Sequence, residues 1–161
     1  MLYEALKKFA ASIFNLLNLL LRGNLPPFGC VCIIVEKEQR FLVIERQSGK
    51  VVFPGGFMRW SECPEQTVIR EGKEETGLQL RPLRILGHFS ASSQRMDRIS
   101  TLDIVYQAEV IDGQLRKSVE GRPYWVNKED LLEKLAPHYL NIYQDYLRYC
   151  EQHSEVRLHK V

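Results

Sequence analysis

The sequence predicts an α/β fold of the α+β type, a mixed central sheet covered by helices and preceded by an extra amphipathic helix. Three observations predict it. Strand-like and helix-like stretches follow one another without strict strand–helix–strand alternation, which argues against a purely parallel sheet. The first 22 residues carry their polar positions at helical spacing. The chain has 161 residues, 45% of them apolar and 26% charged, enough for one core and too few for two.

The N-terminal helix runs from Leu2 to about Arg22, with Glu4, Lys7, Lys8, Asn15, Asn18 and Arg22 on one narrow face. Apart from Ser12, the rest of the cylinder is Leu, Ile, Phe, Tyr or Ala. Asn15 and Asn18 interrupt the apolar run, which from Phe9 to Leu21 falls short of the ~20 residues a membrane span needs. Leu-Leu-Leu-Arg-Gly-Asn offers no small-x-small cleavage site for a secretory signal. Two placements stay open: packing on its own domain or a homodimer partner, and lying in a membrane interface. Three basic residues are few for the second. The segment 1–23 is accordingly set apart from 24–161.

Asn24-Leu-Pro-Pro ends that helix. Cys30–Val35 and Arg40–Glu45 read as a hairpin around Glu36–Gln39, and Val51–Pro54 as a short strand running into Gly55-Gly56. A helix is expected from about Pro64 to Thr76, stopped by Gly77. Strands follow at Leu83–Phe89, Leu102–Val110 and Tyr124–Val126. Helices close the chain at Lys128–Leu135 and Tyr139–Glu151, with Pro137 between them.

Composition excludes several roles. A net charge of +2 without basic runs argues against stable nucleic-acid binding. Cys30, Cys32, Cys63 and Cys150 form no CxxC pair, so buried reduced thiols are expected rather than a zinc site or disulfides. That usage suits a cytoplasmic protein, with peripheral membrane contact as the variant the first helix would bring.

The chemistry lies between Gly55 and Leu78, GGFMRWSECPEQTVIREGKEETGL. Glu71, Glu74 and Glu75 stand at i, i+3 and i+4, so on a helix they share a face. Carboxylates so placed repel unless something neutralises them. A hard divalent cation, Mg²⁺ or Mn²⁺, does so with oxygen ligands. Arg70, four residues before Glu74, is placed to orient a carboxylate. Gly55-Gly56 lets backbone approach a ligand closely. Such a helix facing a glycine loop suits diphosphate chemistry, in which a water becomes the nucleophile.

The stretch resembles the Nudix box, G-x5-E-x7-R-E-U-x-E-E-x-G-U with U a bulky aliphatic residue, through Gly56, Glu62, Arg70-Glu71, Glu74-Glu75, Gly77 and Leu78. Eight of nine specified positions match, and the likeness spans roughly Pro27–Leu135. The resemblance implies an α/β/α sandwich and a metal-dependent hydrolase of pyrophosphate bonds in nucleoside-diphosphate-linked substrates, ADP-ribose-like or nucleoside triphosphates. It implies Glu71, Glu74 and Glu75 as metal ligands, the Gly56 carbonyl assisting. Arg70 and Glu62 would tie loop to helix. Two residues stay open as general base, Glu75 and Glu120, the latter also as a further metal ligand. Gly72 departs, occupying the first U site and costing on the order of 1 kcal/mol against alanine in mid-helix. A bulky neighbour from elsewhere in the core is expected to use the space. Cys63 is a poor N-cap, although Pro64 suits the first helical position.

For the substrate, a nucleotide-type small molecule, Arg95 and Arg98 reproduce the arginine spacing of ADP-ribose pyrophosphatases, with Ser93 where those show proline. Their guanidiniums suit a phosphate. Phe57 and Trp60 are available to stack on a base or to pack the loop, Trp60 being the better stacking candidate. Two other classes stay open: a catalytically weak nucleotide-binding sensor of the same fold, and a membrane-surface or scaffold protein acting through the first helix.

Overall fold

The structure, a computed structural model, describes residues 2–93 and 95–158, the side chains of 2–4, 7 and 152–158 excepted. Its spine is strand β1 (Phe28–Lys37), whose residues Val31 to Val35 are all buried. Successive side chains of a strand point to opposite faces, and here they enter two separate cores. Cys32 and Ile34 join Phe41, Val43, Phe53, Tyr143 and Tyr146 on one face. Val31, Ile33 and Val35 join Leu42, Val68, Leu78, Leu80 and Tyr106 on the other. A strand apolar on both faces needs cover on both. That cover makes the α/β/α sandwich.

Around β1 lie β2 (Arg40–Glu45), β3 (Val51–Val52), β4 (Gly55–Phe57), β5 (Leu78–Ala91), β6 (Thr101–Gly113) and β7 (Arg122–Asn127). The order is β3-β2-β1-β6-β5, with β4 pairing β1 and β7 pairing β2. The sheet is mixed: β1 and β6 run parallel, and the other pairs are antiparallel. The helices are α1 (Leu2–Leu20), α2 (Pro64–Glu71), α3 (Lys128–Lys134) and α4 (Pro137–Leu158).

Four expectations are corrected. The stretch Pro64–Thr76 is not one α-helix: after Glu71 it widens into a π-helical turn, Gly72–Thr76. Gly77 at φ +81° closes it in the left-handed region. Gly55 and Gly56 are strand residues paired with Cys32 and Val31, not a loop. The two closing helices are present, but the second begins at Pro137 rather than Tyr139, as the proline's fixed φ and missing N–H allow at a first position. Of the four thiols, Cys30 and Cys32 are buried, while Cys63 is exposed and Cys150 only partly covered.

Helix α1 shows the largest difference. It lies on its own domain through Ala11, Phe14, Asn15 and Asn18, while Leu6, Phe9, Ile13, Leu16, Leu17 and Leu20 are exposed. Phe14 packs on Phe28, ring centroids 4.6 Å apart. The polar stripe, of which the Glu4 and Lys7 side chains lie outside the described residues, therefore turns partly inward. No helix among the described residues is long and apolar enough to cross a membrane.

Candidate active site

The site is built where β4 meets α2. Strand β4 pairs with β1 at Val31↔Gly56, which brings the glycine strand beside the carboxylate helix. Pro64 opens α2, and the Gln66 side chain accepts from the Cys63 N–H at 2.9 Å, making good the weak cap. The π-helical turn lies under two of the three glutamates. Wide turns of this kind concentrate at functional sites, and Thr76 fastens this one by donating to the Gly72 carbonyl and accepting from Leu78 N–H.

Arg70 is the knot of the loop–helix junction. Its Nε lies 2.6 Å from Glu62 Oε1 and its Nη2 2.8 Å from Glu62 Oε2, a two-pronged pair. The same guanidinium donates to Glu71 at 2.6 Å, to Glu74 at 3.2 Å and to the Phe57 carbonyl at 2.9 Å. Arg70, then the Arg59 N–H and the Thr67 hydroxyl, hold the Glu62 carboxyl down at about 2.

Glu71 packs against Gly56, where an added Cβ would stand 2.7 Å from the Glu71 carboxyl carbon. Only glycine leaves that carboxylate its place. Burial pushes the Glu71 carboxyl up, against the pull of Arg70. Glu74 is half exposed and is also held by Arg59 Nη2 at 3.0 Å. Glu75 is buried at 2% exposure; its Oε2 accepts from Gly55 N–H at 2.8 Å.

Arg46, at the end of β2, joins the site from 29 residues away. Its Nη2 lies 3.3 Å from Glu75 Oε1, and its Nη1 pairs with Glu120 Oε2. Glu120 stands close enough to Glu75 to share a hydrogen bond with it. Burial foremost, helped by Glu120, pushes the Glu75 carboxyl up to about 8. Two carboxylates cannot both ionise freely at that range, so they titrate as a pair. Among these residues five carboxylates (Glu62, Glu71, Glu74, Glu75, Glu120) face three guanidiniums (Arg46, Arg59, Arg70). With the Glu75–Glu120 pair holding one proton near neutral pH the cluster is singly negative, and a hard divalent cation that displaced this proton would meet an excess of two negative charges on oxygen donors. Each carboxylate is held by a guanidinium or an amide, and no three acidic, His or Cys side chains among the described residues converge on one point.

Arg95 and Arg98 stand on the 92–100 loop between β5 and β6. Arg95 is clamped to Asp97 by two contacts of 2.8 Å. Ser93 accepts from the Arg95 N–H at 3.2 Å and its own N–H donates to Ser100 Oγ, so it shapes the loop by hydrogen bonds. The loop re-enters the sheet at Thr101, paired with Phe28, and the Phe28 ring meets Phe57 at 5.8 Å. This end of β6 and strand β4 therefore flank the start of β1 on opposite edges. Trp60 is fully exposed and does not pack the loop, while Phe57 is half exposed. Sequence reasoning missed Arg46 and Arg59. Arg59 sits inside the box stretch and was readable as a counter-ion, whereas Arg46 had no local signal.

The sequence matches the NUDIX domain over residues 25–146. The chain belongs to the Nudix family. It is 35% identical over 120 residues, 72% of its length and 70% of the other's, to an ADP-ribose pyrophosphatase of Methanocaldococcus jannaschii. A diphosphoinositol polyphosphate phosphohydrolase 3-alpha of Mus musculus is 27% identical, with 68% of each chain covered. Among solved structures, a Nudix hydrolase of Nitrosomonas europaea superposes with a TM-score of 0.69, covering 76% of this chain and 90% of that one at 20% identity. A MutT protein of Bacillus halodurans gives 0.65 at 28% identity, covering 73% and 80%. The Nudix chain is thus a pyrophosphohydrolase of a family that generally needs divalent cations.

Proposed function

We propose that this Nudix pyrophosphohydrolase cleaves the diphosphate of ADP-ribose-like, nucleoside-diphosphate-linked substrates with Mg²⁺, or Mn²⁺ in its place. The observation that carries the reading is the cluster of Glu62, Glu71, Glu74, Glu75 and Glu120 beside Gly55-Gly56, five carboxyl groups against three guanidiniums. The archaeal relative's name supports the substrate class.

Glu71, Glu74 and Glu75 would hold the cation, with the Gly56 carbonyl beside them, and its binding would supply neutralisation of the phosphate oxygens and a more acidic water. The chain's own groups do the rest. A water attacks one phosphorus, the bridging P–O bond breaks, and the water's proton passes to a carboxylate oxygen of Glu120 or Glu75. Arg46 keeps those two carboxylates together despite their repulsion. Arg70 and Glu62 keep β4 and α2 in register. Arg95 and Arg98 take a phosphate of the substrate's diphosphate, and the exposed rings of Trp60 and Phe57 are available to stack on the base.

Phosphate-release assays over ADP-ribose and nucleoside triphosphates, with Mg²⁺ or Mn²⁺, test this. Glu74→Gln is expected to lower turnover by roughly 100-fold or more with an unchanged fold, as losses of charge stabilisation do. Near-normal activity in that variant would remove Glu74 from the metal set. A chain that binds metal yet turns over no panel member would be a nucleotide-binding sensor instead.

The apolar stripe on α1 is read as a contact with a second copy of the chain. Leu6, Phe9, Ile13, Leu16 and Leu20 follow alternating steps of three and four residues, the spacing of helix pairing. A lipid surface is less suited, because Asn15 and Asn18 of the polar stripe are spent on the domain itself.

A further inference from the structure

Asn15 lies on the inner face of α1, 80 residues from the loop that carries Arg95 and Arg98. Its Nδ2 stands 3.2 Å from the carbonyl of Arg95, 2.9 Å from that of Met96 and 2.7 Å from that of Arg98. Three carbonyl oxygens can be satisfied only by the amide's NH₂ end, whose two hydrogens must serve three acceptors. The Arg98 N–H also returns to the Arg95 carbonyl at 3.2 Å, so the amide caps a closed turn. The turn's other hydrogen bonds among the described residues come from within the loop itself, from Ser93 and Asp97. Between α1 and the strand ends at Ser90–Ser92 and Ser100–Thr101 runs a cleft of about 300 Å³, so apolar packing does not fix the loop's height. At the other end of the contact, Phe14 rests on Phe28, which touches Phe57 of β4.

We propose that Asn15 is a positioning residue: its amide seats the Arg95–Arg98 turn, and through it helix α1 sets how tightly the enzyme holds its substrate. The inference rests on the reading above that Arg95 and Arg98 meet the substrate's phosphate. No other residue type serves as well. Asp would aim a carboxylate at three carbonyls, and Ser is too short to reach them.

The test compares the wild type with Asn15→Asp, an isosteric change that removes the donors, and with Asn15→Gln, which keeps an amide. With ADP-ribose and Mg²⁺, Asn15→Asp is expected to raise KM about tenfold and leave kcat within about twofold, the signature of lost binding common to ground and transition states. Asn15→Gln should recover part of the loss. Arg98→Ala should raise KM as well, and the double variant should be little worse than Arg98→Ala alone, because both act through one turn. Limited trypsin digestion gives a readout free of turnover: cleavage after Arg95 and Arg98 should quicken several-fold in Asn15→Asp, since a local opening exposes the bonds, while thermal midpoints stay close. An unchanged KM and unchanged cleavage in Asn15→Asp, beside a raised KM in Arg98→Ala, would overturn the inference alone. An unchanged KM in Arg95→Ala and Arg98→Ala would overturn the substrate reading, and the inference with it.

Discussion

At the scale of single residues, the irregular position of the box has a packing reason. A Cβ at Gly72 would lie 2.5 Å from Leu80 Cδ1 and 2.7 Å from Leu80 Cγ. Leu80 enters from β5 and is 2% exposed, so it fills the volume a box aliphatic otherwise takes. Gly72→Leu is expected to cost about 1–3 kcal/mol through overpacking, read as a lower urea midpoint at unchanged slope. Adding Leu80→Ala should return part of that loss; a Gly72→Leu chain as stable as the wild type would show that the space is open. Glu62 gives a pH prediction. Arg70 holds its carboxyl at about 2, below the ordinary 4.5. A depressed carboxyl stabilises the fold fully above its unfolded value, and that stability drains away as pH falls from 4.5 through 2. Glu62→Gln should flatten this acid limb in pH-dependent unfolding. The box residues were legible because their chemistry is written at fixed spacing along one stretch. Arg46 was not, since its partners lie 29 and 74 residues away and a lone strand-end arginine carries no periodic signal.

At the scale of elements, existence was legible and extent was not. Strand β5 runs from Leu78 to Ala91, although only Leu83–Phe89 looked strand-like. Its first half carries Arg81 and Pro82 and is irregular, with register shifts at Gln79/Leu80 and Pro82/Arg84. Such a bulged edge strand hides its alternation. β4 was hidden by its own glycines, whose pairing with β1 is set by the sheet rather than by propensity. For α1, periodicity reveals which side is apolar but not which side meets the domain. Two asparagines with hydrogen-bond partners outcompeted the leucine stripe for the inner face. The stripe then lies open, with Leu20 73% and Phe9 64% exposed, and a contiguous exposed apolar face of this kind marks an interaction surface. Sedimentation velocity is expected to give a dimer for the full chain and a monomer for Ile13→Lys, a charge in mid-stripe. A full chain that sediments as a monomer at micromolar concentration would sink the pairing.

At the scale of the whole molecule, charge is nearly balanced in sum and unbalanced in place. The chain carries 22 basic and 20 acidic residues, yet its site gathers five carboxylates against three guanidiniums. In the metal-free chain the excess is a cost carried by the folded state alone, because unfolding disperses the glutamates. A cation that binds the folded arrangement and not the dispersed chain recovers that cost and adds its own binding energy. At 100-fold its Kd, linkage gives about 2.7 kcal/mol, which for a domain of this size is a rise of roughly 5–10 °C in Tm. Mg²⁺ is therefore expected to raise Tm by that order, and EDTA to reverse it. In Glu75→Gln the metal-free chain should be no less stable than the wild type near neutral pH, since the buried carboxyl it replaces is already largely protonated there, while the response to Mg²⁺ should shrink sharply. The two effects have opposite signs, which separates a lost ligand from a damaged fold. A variant that lost stability and kept the full metal response would place the cation elsewhere in the molecule.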